Sequence, residues 1–115
     1  MKHFTRKEFN CPCCGANLME PAFLEMLDKA RGIAGIPFKI NSGYRCAPHN
    51  KNEGGSPTSS HVDGWAADIN CIGSRHRFIM VDALREAGFE RIGIRKDFIH
   101  VDCDPQKDER TLWIY

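Results

Sequence analysis

Apolar residues return at helical spacing in two stretches of the chain and gather in several shorter runs. Phe23, Leu27, Ala30 and Ala34 fall on one face of a helix that begins near Glu20-Pro21, where proline suits a first turn, and Gly35 and Pro37 end it. Ser74 is placed to cap a second helix reaching Ala87, with Phe78, Val81 and Leu84 inward and Gly88 as its stop. Phe38-Lys39-Ile40-Asn41 alternates as a short strand, and Trp65 to Asn70 reads as a buried one. Arg91–Ile94, Phe98–Asp102 and Leu112–Tyr115 complete the predicted strands. Between Ser42 and Ser60, Gly, Pro, Asn and Ser crowd together without periodicity, which predicts a long loop of the kind that carries function. Helices and strands mix without βαβ regularity. The expected fold class is therefore α+β, a small, mainly antiparallel sheet flanked by two main helices.

Composition narrows the picture only a little. The 115 residues suit one domain spanning 1–115, and 42% apolar with 27% charged residues is ordinary for a globular chain. A formal net charge of +1 and scattered basic residues give no reason to expect nucleic acid as a partner. No apolar run is long enough for a membrane, and no apolar stretch follows the basic residues at the start, so the chain is expected to be cytoplasmic as made. It is expected to act as a monomer. Six cysteines are many for a reducing compartment. Cys11 and Cys14 have the spacing of half a zinc knuckle, but no second such pair follows. Reduced, partly buried thiols and a second metal site completed through the fold are both open.

The chemistry concentrates in two segments. In Ser59-Ser60-His61-Val62-Asp63-Gly64-Trp65-Ala66-Ala67-Asp68, an imidazole and a carboxylate lie seven residues apart across a glycine that permits a tight turn. In Asp97-Phe98-Ile99-His100-Val101-Asp102, a second imidazole sits within an apolar strand. Alternation puts Asp68 on the face of Ala66 and Asn70, and puts His100 on the face of Asp102. If the two strands are neighbours, Asp68 meets His100, and His61 arrives from the preceding turn. Two histidines and a carboxylate with an open fourth position make a catalytic zinc arrangement. A buried charge at Asp68 needs a partner, which a metal would supply. Spacing alone leaves open a metal-free reading in which these are structurally satisfied side chains. His49 is expected to be structural or solvated rather than a ligand, and His76 to be a helix-surface residue.

At these residues the sequence resembles the M15 zinc peptidases. The resemblance is carried by Ser59-x-His61-x-x-Gly64-x-Ala66-x-Asp68, by Ser42-Gly43-Tyr44-Arg45 before it and by Asp97-x-x-His100 after it, over Phe38 to Asp102. That family includes D-Ala-D-Ala carboxypeptidases and dipeptidases, and L-alanyl-D-glutamate endopeptidases of phage lysis enzymes, with the fold of the hedgehog signalling domain. The resemblance implies one catalytic Zn2+ on His61, Asp68 and His100, with Asp97 as general base. Arg45 would contact substrate and assist catalysis, with Ser59 and Tyr44 as further substrate-binding residues. Asp102 would orient His100 or another ligand, or else be only an edge-strand charge. Tyr44 and Trp65 would line the cleft or belong to the core. Because Asp97 and His100 are three apart and would face opposite sides of a regular strand, Asp97 is expected in the preceding turn or at a bulge.

The implied substrate is a peptidoglycan stem peptide, cut at a D-Ala-D-Ala or L-Ala-D-Glu type of bond; phage lysis, tail delivery and host wall recycling are all open as the route to it. Two other classes compete. A zinc-containing but non-catalytic module could bind cell-wall peptides or serve in a phage structure, although it would need no general base. His61-x-Asp63 with His100 also matches a facial triad for non-haem iron. That reading needs a double-stranded barrel, which would strain 115 residues, and it leaves Asp68 and Asp97 unexplained.

Overall fold

A computed structural model describes residues 1–115. A 3-10 turn at Arg6–Phe9 precedes α1 (Pro21–Ala34), β1 (Ile40–Ser42), α2 (Ala47–Asn52), β2 (Ala66–Asn70), α3 (Ser74–Ala87), β3 (Arg91–Ile94), β4 (Phe98–Asp102) and β5 (Thr111–Ile114). The expected α+β class holds. The five strands form one sheet in the order β1-β2-β4-β3-β5, antiparallel except where β5 runs parallel to β3.

One face of the sheet carries the core. Ala67, Ile69, Ile92, Ile99 and Val101 join Phe23, Leu24 and Leu27 of α1, and Met80 and Leu84 of α3, in a single apolar cluster. Burying a side chain of this size stabilises the fold by about 1.5–3 kcal/mol. No helix is long and apolar enough to cross a membrane.

Several local expectations need correcting. The inward stripe of α3 is Met80, Ala83, Leu84 and Ala87, while Phe78 is 75% exposed. That stripe is itself helical in spacing, and it faces α1; Phe78 falls outside it. Ser74 is the first helical residue rather than the cap, which is Gly73. The segment from Ser42 to Ser60 is not all loop, because Ala47–Asn52 form α2 with Pro48 in its first turn. The N-terminal 3-10 turn also escaped the periodicity, being a single turn.

Register makes the opposite face of the sheet functional. Ser42 pairs with Asp68, Asp68 with His100, His100 with Gly93, and Gly93 with Trp113, one row across all five strands. The next row runs Ala66, Asp102, Arg91 and Thr111. The polar residues that the alternation singled out therefore stand side by side.

Candidate metal centre and active site

Asp68 and His100 face one another because β2 and β4 pair in that register. Asp68 Oδ1 lies 3.0 Å from His100 Nδ1 and 3.3 Å from His61 Nε2. His61 comes from the turn that leads into β2. Gly64 closes that turn at φ 80°, where a Cβ would stand 2.1 Å from the Leu18 carbonyl oxygen, so only glycine fits. The Ser60 hydroxyl, almost fully buried, donates to Asp104 Oδ2 at 2.8 Å and ties this turn to the segment after β4.

Each imidazole has its far nitrogen engaged. His61 Nδ1 is 2.8 Å from the Gly43 carbonyl oxygen, a contact in which the ring N–H donates. His100 Nε2 is 2.7 Å from Asp102 Oδ2. Asp102 is in turn anchored by Arg91, whose Nε donates to Oδ1 at 2.7 Å. With those nitrogens protonated, His61 Nε2 and His100 Nδ1 carry lone pairs that converge beside Asp68. One ligand atom from each of His61, Asp68 and His100 lies within 4.8 Å of the others. Two nitrogens and a carboxylate oxygen, each histidine backed by an acceptor, fit a tetrahedral zinc site with one position left open.

Without a metal, the carboxylates and imidazoles of the site compensate one another. Burial alone would raise the Asp68 pKa, but without a metal the two rings turn N–H donors toward it, and hydrogen bonds from His100 and His61, with the charges of both, hold it well below the carboxylate range. Burial would lower the pKa of His100, yet Asp102 and Asp68 outweigh it and push it up. Asp102, despite its own burial, is held down by His100 and Arg91.

The cluster opens into a cleft of about 510 Å3. Arg45 lines it with its guanidinium bound three ways, to Ser42 Oγ at 3.0 Å, Asn50 Oδ1 at 3.4 Å and Asp68 Oδ2 at 3.3 Å. Ser59 lines it as well, and its Oγ accepts the His61 backbone N–H at 3.3 Å. Tyr44 does not; it is buried in the core, and its backbone N–H donates to the Phe9 carbonyl. Trp65 packs against the core rather than the cleft. The aromatic wall is instead Trp113, Phe98 and Tyr115. Trp113 reaches His100, with ring centroids 5.5 Å apart, because Gly93 beneath it has no side chain; a Cβ there would lie 2.4 Å from the indole nitrogen.

Asp97 stands in the turn between β3 and β4, as its spacing from His100 required. Its carboxylate is 63% exposed, with Arg95 Nε at 3.7 Å. Its neighbours Arg95 and Phe98 line the cleft, but Asp97 itself is outside the lining. Asp63 is exposed and lies apart, against Leu18 to Pro21, so the His61-x-Asp63 facial triad is not assembled. His76 is on the surface, and His49 is half-buried with Glu53 at 3.8 Å.

The reading from sequence missed Ser60, Arg91, Asp104 and Trp113, each of which acts through a partner distant in the chain. The apolar Leu112-Trp113-Ile114 run at a strand edge was the only available signal for one of them. Residues 2–102 match the family model described as Peptidase M15. A comparison with curated proteins found no match.

Proposed function

The chain belongs to the M15 peptidase family, and from that premise we propose that it is a zinc-dependent hydrolase of peptide bonds in peptidoglycan stem peptides. The observation that carries the proposal is the convergence of His61 Nε2, Asp68 Oδ1 and His100 Nδ1, each imidazole backed on its far side. A bound Zn2+ there would supply Lewis acidity, polarising the scissile carbonyl and lowering the pKa of water to about 7.

The protein's own groups do the rest. With the metal bound, Gly43 O and Asp102 would hold the proton on the far nitrogen of His61 and His100, leaving the near nitrogen of each ring to the ion. Asp97 accepts a proton from the attacking water and returns it to the leaving amine as the C–N bond breaks. Arg45 offers a planar fork of donors, steadied by Ser42 and Asn50, to a substrate carboxylate or developing oxyanion. Ser59 contributes by steadying the turn beneath His61. Trp113, Phe98 and Tyr115 give the peptide an apolar wall.

D-Ala-D-Ala and L-Ala-D-Glu linkages are the bonds in view, reached in the wall through phage lysis or tail delivery. A second reading, a zinc-containing module that binds wall peptides without cutting them, is favoured by one observation. Asp97 is exposed and outside the cleft lining. The Asp97→Asn variant separates the two. Hydrolysis of purified muropeptides should fall about 10²–10⁴-fold with zinc content unchanged. Unaltered turnover would remove Asp97 from the mechanism, and no turnover in either protein would favour the binding module.

A further inference from the structure

None of the six cysteines is bonded to another, yet four of them gather at one point. Cys11, Cys13 and Cys14 stand on a tight loop after the N-terminal 3-10 turn, and Cys46 immediately precedes α2. The Cys11 sulfur is 3.5 Å from that of Cys13 and 3.6 Å from that of Cys46, while Cys13 and Cys46 are 3.2 Å apart. All four sulfurs lie within 4.8 Å of one another. A disulfide would draw two sulfurs to about 2.05 Å. Four thiolates around a tetrahedral ion, each about 2.3 Å from it, stand about 3.8 Å apart. The observed spacing belongs to the second arrangement.

The local backbone holds the group open. The Cys11 N–H donates to Ala16 O and the Gly15 N–H to Cys11 O, both at 2.8 Å, so the loop doubles back and presents three sulfurs together. Cys46 is brought opposite because the Tyr44 N–H donates to Phe9 O at 2.9 Å. No histidine or carboxylate belongs to the group. An all-sulfur tetrahedral set selects a soft ion, and four protein ligands leave no position for substrate.

We infer that Cys11, Cys13, Cys14 and Cys46 bind a second, structural zinc ion that clamps the start of α2 to the N-terminal loop. The clamp bears on the cleft through the chain. Cys46 follows Arg45 directly, and Gly43, whose carbonyl holds His61 Nδ1, lies three residues before it. Cys71 and Cys103 take no part.

The test uses the full chain carrying His61→Ala and His100→Ala, purified under reductant, so that the proposed catalytic ion does not enter the count. About one zinc per chain should remain. Exchange with cobalt should give an intense near-ultraviolet sulfur-to-metal band, and a mercurial reagent should release the ion. Adding Cys11→Ser and Cys14→Ser should abolish the ion and the band. A metal-free protein whose cysteines titrate freely, an intact mass showing a disulfide, iron in place of zinc, or bound cobalt without the sulfur band would each overturn the inference. Should the histidine variant not fold, cobalt-exchanged wild type decides the matter, since the His61, Asp68 and His100 site contains no sulfur. A sulfur band with only one ion per wild-type chain would uphold this site and reject the catalytic one. One ion without the band would do the reverse.

Discussion

Two clusters in this protein have the chemistry to hold a metal, and they are built by opposite means. His61, Asp68 and His100 are buried, and two of the three stand on paired strands whose register sets their separation. Cys11, Cys13, Cys14 and Cys46 lie on two loops, two of them exposed, with nothing but backbone turns to align them. The first group has three ligands and a cleft; the second has four and none. A rigid sheet can keep three ligands in place around an open position, whereas loops need the metal itself to complete their geometry. Removing metal should therefore leave the histidine cluster nearly intact and loosen the cysteine loop.

The largest effect that would sharpen this contrast is expected from Asp68→Ala. It should abolish zinc at the cleft and all peptide hydrolysis while leaving sulfur-bound metal in place, as measured by metal content and a muropeptide assay. Loss of both metals would mean that the two sites are not independent. Asp102→Asn is expected to act less severely. It replaces an acceptor of His100 and a partner of Arg91, and should weaken zinc binding about 10–100-fold in a chelator competition. An unchanged affinity would show that His100 needs no such backing.

Acid and base should also separate the regions in zinc-free protein. Asp68 and Asp102 have pKa values depressed by folding, so the stability they contribute is present above about pH 4 and lost as pH falls below it. His100 has a raised pKa, so its contribution is full below about pH 6.5 and is lost as pH rises through its folded value. Denaturant titrations of the zinc-free protein should thus find the sheet most stable between those limits. A flat profile would mean that the imidazole-carboxylate contacts contribute little to folding. The smallest change is expected from Ser60→Ala, which unties the His61 turn from Asp104 and should reduce stability by about 1–3 kcal/mol. A thermal melt indistinguishable from wild type would show that this tie is dispensable.

What the sequence made legible follows the same division. The strand-borne cluster was readable because alternation in Ala66–Asn70 and Phe98–Asp102 fixes which side chains share a face, leaving only the pairing of β2 with β4 to be supplied by the fold. Cys46 could not be assigned to Cys11 and Cys14 in the same way, since it lies 35 residues from Cys11 and loops have no period. The six residues of α2 are too few to show an apolar stripe against the glycine- and proline-rich segment around them. Phe78 misled for a different reason. Helical spacing fits more than one stripe on α3; Leu84 is inward as expected and Val81 packs at the core's margin, while the packing against α1 chose Met80 over Phe78. Cleft and core are both open to Tyr44 from its place beside Arg45, and its neighbour Gly43, pressed against Phe9, takes the segment into the core.

The central claim is that His61, Asp68 and His100 hold the zinc that hydrolyses a wall peptide. The measurement that tests it most directly is digestion of purified peptidoglycan, read by mass spectrometry, with zinc-loaded wild type beside His61→Ala. New stem-peptide fragments from wild type, absent with His61→Ala and with chelated wild type, are the predicted result. Fragments released equally by the His61→Ala protein, or none from zinc-replete wild type on any wall chemistry, would contradict it.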